Sequence, residues 1–337
     1  MKILYAIQGT GNGHISRALE IIPHLKRKGD LDLLISGTSF DLQLPYEIKY
    51  RLNGLSFVFG KQGGVDIWNT YLKMNSLRLL REISSLPIEQ YDLVISDFEP
   101  VSSWACTKIK KPCVGLSNQV ASLSPFAPKP KHKDILGKFV LQNYAPTAPN
   151  YGFHFINYSP SIFTPVIRKQ VRELDVKDKG HYTVYLPAYE DERILKNLKK
   201  FKDVKWEVFS KHNKKTERFK NIFIQPIHSD LFLKSMATST GVLCNAGFGT
   251  TSEALFLEKK LLVIPMKTQY EQHCNAAVLK SMGVPVMKSL KKKHGNKIAD
   301  WLDNDSIIKV NYPDITAEIV EQIVDNHQTQ KIISSVA

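Results

Sequence analysis

The chain has 337 residues, 43% of them hydrophobic and 23% charged, about twice the size of one ordinary domain, so two separate cores are expected. Lys and Arg outnumber Asp and Glu by 46 to 32, a net charge of +14 that favours phosphates, anionic surfaces or nucleic acid without choosing among them. Zinc-finger spacing, RNP-type aromatics and long arginine runs are missing, which argues against nucleic acid, and no stretch approaches the roughly 20 apolar residues of a spanning helix.

In chain order, KILYAIQG (2–9) reads as a buried strand. It offers one lysine, a short apolar run and no small-residue cleavage site, so secretion is not expected. HISRALEIIPHLKRKG (14–29) reads as a helix stopped by Gly29, followed by a strand at 32–37, a helical stretch from Val65 to Leu86, and strands DLVISD (92–97) and CVGLS (113–117). Short apolar runs alternating with helices indicate a parallel sheet covered on both faces. Right-handed crossovers then gather the loops after the strands at one edge. The segment from Asn118 to Gly152 breaks the rhythm with five prolines and a basic cluster, Lys129, Lys131, His132 and Lys133. It is expected to be a lid or acceptor-side loop, or else a surface excursion.

A second alternation follows NYSPSIFTP (157–165). Strands are expected at 181–189, 205–212, 221–227, 241–247 and 260–266, with helices centred near Ile194, Met236, Glu253 and Ala277. PDITAEIVEQIV (313–324) is amphipathic, with Ile315, Ile319, Val320, Ile323 and Val324 on one face. The fold class is therefore α/β, two Rossmann-like doubly wound parallel sheets facing across a cleft. The expected division is 1–156, a linker at 157–165, 166–312, and a C-terminal helix at 313–337 that packs back on the first domain. The basic stretch KSLKKKHGNK (288–297) reads as a solvated face. Cys106, Cys113, Cys244 and Cys274 lie far apart without CxxC spacing, so buried free thiols and a reducing, cytoplasmic setting are expected.

Two stretches carry chemistry. GTGNGH (9–14) joins the first strand to the first helix. Gly9, Gly11 and Gly13 let backbone amides approach an anion or a sugar, and the helix adds its positive end. The spacing is GxGxG rather than GxGxxG, and the second strand ends Ile35-Ser36-Gly37 without the acidic residue a nicotinamide cofactor needs. His14 falls on the first helical turn, where the dipole favours a neutral imidazole suited to act as a general base; a packing or capping histidine is the plainer reading. Asp97, or Glu99 two residues on, could orient it, and Asp97 at the strand's end is preferred.

The second stretch is CNAGFGTTSEALFLEKKLLVIPMKTQYEQHCNAAVLKSMG (244–283). A strand ends in a glycine turn and a helix opens with Thr250, Thr251 and Ser252, a cradle for a diphosphate. Glu253 could accept from the two hydroxyls of a ribose, although Thr250 and Glu253 also spell a capping box. Glu271 and Gln272 follow the next strand and could grip sugar hydroxyls.

This segment resembles the donor-binding signature of GT-B glycosyltransferases, over about 33 residues in the order Gly-aromatic-small-Thr-Thr-x-Glu-Ala, Pro, acid-Gln-x-x-Asn-Ala. By that resemblance Asn245, Gly247, Gly249, Thr250 and Thr251 hold the diphosphate, Glu253 the ribose, and Glu271 and Gln272 the donor sugar. His14 then stands at the catalytic base and Asp97 at its partner. Many such enzymes carry a histidine where Asn245 stands, and the peptidoglycan-precursor GlcNAc transferase has glutamine where Glu271 stands.

The resemblance implies inverting transfer of a hexose or N-acetylhexosamine from a nucleotide diphosphate sugar, UDP-linked by preference, to an acceptor hydroxyl, with no metal and no cofactor beyond the donor. Asp303-Asn304-Asp305 offers a superficial metal site but reads as a helix end. The rivals are a nucleotide-sugar epimerase on the same fold and a non-catalytic nucleotide-sugar sensor. Phe126, Phe139 and Tyr144 near the basic cluster suggest a lipid-linked acceptor or one at the inner membrane surface. No nucleic-acid partner is expected.

Overall fold

The computed structural model describes residues 1–39, 44–55, 76–131 and 134–336. Two sheets form the frame. The first has seven strands, β1 (Lys2–Thr10), β2 (Asp30–Ser39), β3 (Tyr50–Leu52), β4 (Leu93–Asp97), β5 (Val114–Ser117), β6 (Asn150–Phe153) and β7 (Ile162–Phe163), all parallel, in the order β3-β2-β1-β4-β5-β6-β7. The second has β8 (His181–Tyr185), β9 (Lys205–Ser210), β10 (Glu217–Phe219), β11 (Ile222–Pro226), β12 (Gly241–Cys244) and β13 (Lys260–Val263), in the order β10-β11-β9-β8-β12-β13. Only β10 runs antiparallel, as a hairpin with β11.

Ile3 through Ile7 are fully buried one after another, as a central strand with helices on both faces requires. β3, β6, β7 and β10 were not expected from the sequence: they are two to four residues long, too short for a periodic signal to register. β7 lies within 157–165, so that stretch completes the first sheet as it leads into the second half. The irregular segment from Asn118 is more ordered than its prolines suggest, with helices Asn118–Leu123 and Ile135–Asn143 before β6. Of the expected helix from Val65 to Leu86, residues 65–75 lie outside the described residues and Ser76–Ser85 is helical. His132 and Lys133 also lie outside them.

In each sheet the strand order reverses at one point, between β1 and β4 in the first and between β8 and β12 in the second. Loops that follow the two strands flanking such a reversal leave in opposite directions and open a crevice at the carboxyl edge. The GTGNGH stretch ends β1 and opens the first helix, and the Asn245–Gly249 turn follows β12, so both glycine-rich turns stand at these crevices. Helix Tyr270–Ser281 contacts Asn118–Leu123 and Ile135–Asn143 across the two halves. The C-terminal helix Thr316–Val336 lies on the first helix, Asn12–Lys26. Ile319, Val320, Ile323 and Val324 are buried, Lys28 pairs with Glu321 at 2.9 Å, and Asn326 donates to the Tyr151 hydroxyl at 2.8 Å. Among the described residues no helix is long and apolar enough to cross a membrane.

Candidate functional site

Gly11 precedes helix Asn12–Lys26 with φ at +90°, a backbone setting that a side chain would strain. A Cβ placed at Gly11, Gly13, Gly247 or Gly249 would meet no atom within 4 Å. Both turns therefore present bare backbone to open space, while Gly9 sits within β1.

His14 and Arg17, three residues apart, share one face of the first helical turns. Ile7 of β1 pairs with Asp97 of β4, which brings the end of β4 under that face. The His14 Nδ1 lies 2.8 Å from Asp97 Oδ1, and Arg17 grips the same carboxylate through Nε at 3.0 Å and Nη2 at 2.5 Å. Asp97 is fully buried and Arg17 is 7% exposed. Burial alone would raise the Asp97 carboxyl, but Arg17 and then His14 outweigh it and hold its pKa below the ordinary value. An ionised acceptor requires the imidazole proton on Nδ1, leaving the lone pair on Nε2. Arg17 Nη2 also approaches Nδ1 at 3.1 Å, but a protonated nitrogen accepts nothing, so its hydrogen goes to Asp97.

Glu99 has a different task. Its side chain accepts from the Val101 and Ser102 amides at 2.8 and 2.7 Å and caps helix Pro100–Lys108. Between the two carboxylates Phe98 adopts φ +56°, which costs a non-glycine residue about 1 kcal/mol. That turn sends Asp97 to one helix and Glu99 to the next. The Phe98 ring stacks on Tyr144 at 4.7 Å and lies parallel to His14 at 6.5 Å.

On the other half, helix Phe248–Phe256 is preceded by Gly247 without a side-chain cap. Thr250 is thus already inside the helix, and the capping-box reading fails. The first amides of a helix have no partner within it, and here they point towards the bare turn. Three expected ligand contacts are instead engaged within the protein. Thr251 is fully buried and its hydroxyl donates to the Gly247 carbonyl at 2.7 Å, a bond back to the preceding turn that a helical threonine readily makes. Asn245 Nδ2 donates to the Ile264 carbonyl at 2.7 Å. Gln272 Oε1 accepts from the Met266 amide at 3.0 Å and braces the loop after β13. Gly247, Gly249 and Thr250 remain at the open edge. Glu253, 7% exposed, is held by Arg168 through Nε–Oε1 at 2.6 Å and Nη2–Oε2 at 2.8 Å.

The two halves meet at Glu271. Asn118 Nδ2 donates to Oε1 at 2.8 Å and Gln119 Nε2 to Oε2 at 2.9 Å. The same Gln119 nitrogen lies 3.4 Å from His14 Nε2, with its second hydrogen available to the lone pair assigned there. Asn118 also accepts from Arg17 Nη1 at 3.1 Å. One network thus runs from Asp97 through Arg17, His14, Asn118 and Gln119 to Glu271. Asp303 ends helix Asn296–Asp303 and Asp305 faces Lys260 at 3.4 Å, away from this network.

Arg17, Asn118, Gln119 and Arg168 were not singled out from the sequence. A usable signal existed for three of them. Arg17 stands one turn after His14, and Asn118 with Gln119 directly follows the apolar run of β5, where ligand-edge loops begin.

His154 follows β6 and is 1% exposed, ringed by Phe155, Tyr158 and Phe248. Burial, helped by Lys129, pushes its pKa down to about 4. Well above pH 6.5 the histidine is neutral whether folded or not. As pH falls from 6.5 towards 4, the unfolded chain takes up a proton that the folded chain refuses, so stability falls by up to about 1.4 kcal/mol per unit. Urea denaturation of wild type and His154→Gln should show the wild type losing roughly 2 kcal/mol relative to the variant between pH 7 and pH 5. Parallel pH profiles would remove His154 as the cause.

The sequence matches the family described as glycosyl transferase family 1 over residues 1–304. This chain belongs to that family. Its fold is the GT-B fold of such glycosyltransferases. MurG of Acinetobacter baumannii is similar with a TM-score of 0.55 and 15% identity, covering 98% of this chain and 100% of that one. Arabidopsis thaliana UGT89C1, solved with UDP, is similar at 0.56 and 10%, covering 97% and 100%. A UDP-N-acetylglucosamine 2-epimerase is similar at 0.53 and 14%, covering 96% and 94%. At such identities the likeness establishes the fold of this glycosyltransferase and leaves its substrates to the site. No curated protein matches the sequence.

Proposed function

We propose that this glycosyltransferase moves a hexose or N-acetylhexosamine from a UDP-sugar to an acceptor hydroxyl with inversion, using His14 as general base. The observation that carries the reading is the His14–Asp97 pair, which leaves Nε2 as the basic nitrogen at a bare glycine turn. Nε2 takes the acceptor proton, the freed oxygen attacks the anomeric carbon, and the bond to the diphosphate breaks on the opposite face. Asp97 stabilises the imidazolium formed. The amides at Gly247, Gly249 and Thr250 and the start of their helix receive the charge on the leaving diphosphate. Preorganised donors of this kind are worth on the order of 3 kcal/mol each. No metal is needed in this scheme.

Glu253 takes the ribose hydroxyls, and Glu271 takes the donor sugar once Asn118 and Gln119 yield. The acceptor is lipid-linked or lies at the inner surface of the membrane. Phe126, Ile135, Leu136 and Phe139 are all more than half exposed, and the last three sit on a helix with no buried residue that touches helix Tyr270–Ser281. Four buried free thiols fit a cytoplasmic setting.

Calorimetric titration with UDP, GDP and TDP tests the donor site. UDP is expected to bind, and Glu253→Ala to weaken it by roughly 10- to 100-fold, the worth of hydrogen bonds to a charged group. A wild type that binds no nucleoside diphosphate would end the reading.

A further inference from the structure

The amino edge of the second sheet carries a cavity that sugar transfer does not use. The first residues of β8, β9 and β11 stand at this edge, whereas the Asn245–Gly249 turn leaves the carboxyl edge of β12. A strand's length, roughly 15 Å, separates the two. Beside helix Ser229–Thr238 and the β10–β11 hairpin the sheet face borders a cavity of about 640 Å³, a size that holds small-molecule ligands.

Strand register builds its floor. Arg218 pairs with Phe223, Phe223 with Glu207 and Glu207 with Thr183, so one row of side chains crosses β10, β11, β9 and β8 on a single face. Lys205 and His181 pair in the next row of that face. The helix covers the β8 end of both rows: Thr183 Oγ1 lies 2.7 Å from Ser235 Oγ, and His181 Nε2 lies 3.1 Å from the Ser235 carbonyl. Lys205, Arg218 and Phe223 stay in the cavity wall.

Cations surround the opening from several elements: Lys179 before β8, Lys205 opening β9, Arg218 and Lys220 on the hairpin, and Lys234 on the helix. Glu207 is the one carboxylate in the lining, and it faces His181 Nε2 at 3.6 Å. Asp175 and Asp230 line an adjoining cavity, where Lys177 and Gln170 hold them. Among the described residues none of the five cations has a carboxylate within 4 Å. The last carbonyls of the helix are also occupied. Those of Lys234, Ala237 and Thr238 accept from Thr238 Oγ1 and from the Lys177 and Lys179 amides, which mutes the negative end of its dipole.

Like charges gathered around one opening repel each other, and a multivalent anion relieves that repulsion. Phosphate oxygens accept from several lysines and arginines at once. Because the cations ring an opening, they suit a compact ligand; a nucleic-acid strand needs a groove that tracks its backbone. The floor is recessed beside a helix and a hairpin, so a bilayer would reach only the rim. We infer that this groove is a second ligand site, for a compact soluble anion bearing two or more phosphate groups. It is separate from the transfer cleft and independent of the donor reading.

Hydrogen exchange read by mass spectrometry, titrated with inorganic tripolyphosphate, tests the site. In wild type, exchange should slow over the hairpin Glu217–Pro226 and the start of β9. Lys205→Gln combined with Arg218→Gln should need at least about tenfold more tripolyphosphate for the same protection. Lys288→Gln combined with Lys293→Gln removes the same charge beyond the carboxyl end of β13, and should stay within about twofold of wild type because salt screens distant charges. All four side chains are exposed, so thermal melts should match wild type. Inorganic phosphate should need roughly tenfold more than tripolyphosphate, having fewer charge-assisted contacts to make. The absence of protection at the hairpin would overturn the inference. Equal weakening by the two double variants would also overturn it, leaving only the overall charge of the protein. Protection by phosphatidylglycerol vesicles but not by tripolyphosphate would make the patch a bilayer contact and end the soluble-ligand reading.

Discussion

Replacing His14 with alanine is expected to slow sugar transfer by roughly 10²- to 10⁴-fold, the usual worth of a positioned general base, while UDP affinity stays within about twofold of wild type. The split follows from the geometry. His14 touches Asp97, Arg17 and Gln119 of the first half, whereas the Gly247–Gly249 turn and Glu253 belong to the other half. UDP release from a UDP-sugar, followed with and without a candidate acceptor, measures the first quantity, and calorimetry the second. A transfer rate untouched by the substitution would leave the protein as a nucleotide-sugar binder whose chemistry lies elsewhere. Loss of UDP binding alongside activity would mean that His14 holds the donor rather than the acceptor.

Asp97→Asn is expected to cost about 3–5 kcal/mol of stability, because it leaves the Arg17 guanidinium buried without its counter-charge. Arg17 would retain only neutral amide oxygens as acceptors in this network, that of Asn118 and that of the new asparagine, in place of the carboxylate. The substitution should also lower turnover, since an amide can present its NH2 to Nδ1 and stabilise the wrong tautomer. The two effects separate in a double variant. Arg17→Met with Asp97→Asn removes both charges and should recover much of the stability, as replacement of a whole buried pair often does, while activity stays low. Urea denaturation of the three proteins gives the comparison. A single Asp97→Asn variant as stable as wild type would mean that Arg17 finds other compensation and that the pair is not what holds this end of the sheet.

The layout of the site was legible where residues act through their own local backbone. Glycines that permit a bare turn, a helix that begins just past them, and a histidine on its first turn are all set within six positions, 9–14. The choice of Asp97 over Glu99 was less secure in the sequence, because both lie at the end of one strand. It was decided by the left-handed turn at Phe98, which points the two carboxylates to different helices. Thr251 and Gln272 suit a ligand by residue type; in the fold the Thr251 hydroxyl donates to the Gly247 carbonyl and Gln272 Oε1 accepts from the Met266 amide, contacts that residue type alone does not reveal.

By itself the sequence determined the alternation of strands and helices, hence the two parallel sheets, the glycine turns at their carboxyl edges, and the family. These follow from periodicity and backbone freedom, which are local. Tertiary structure settled who partners whom. For His14 it fixed the choice of Asp97, 83 positions away, over Glu99; it alone showed that Arg168 meets Glu253 across 85 and Gln119 meets Glu271 across 152. Pairings at such separations depend on strand register and on how the two halves meet. A buried charge takes the counter-charge that the assembled fold sets beside it, and nothing in its own neighbourhood of the chain names that partner.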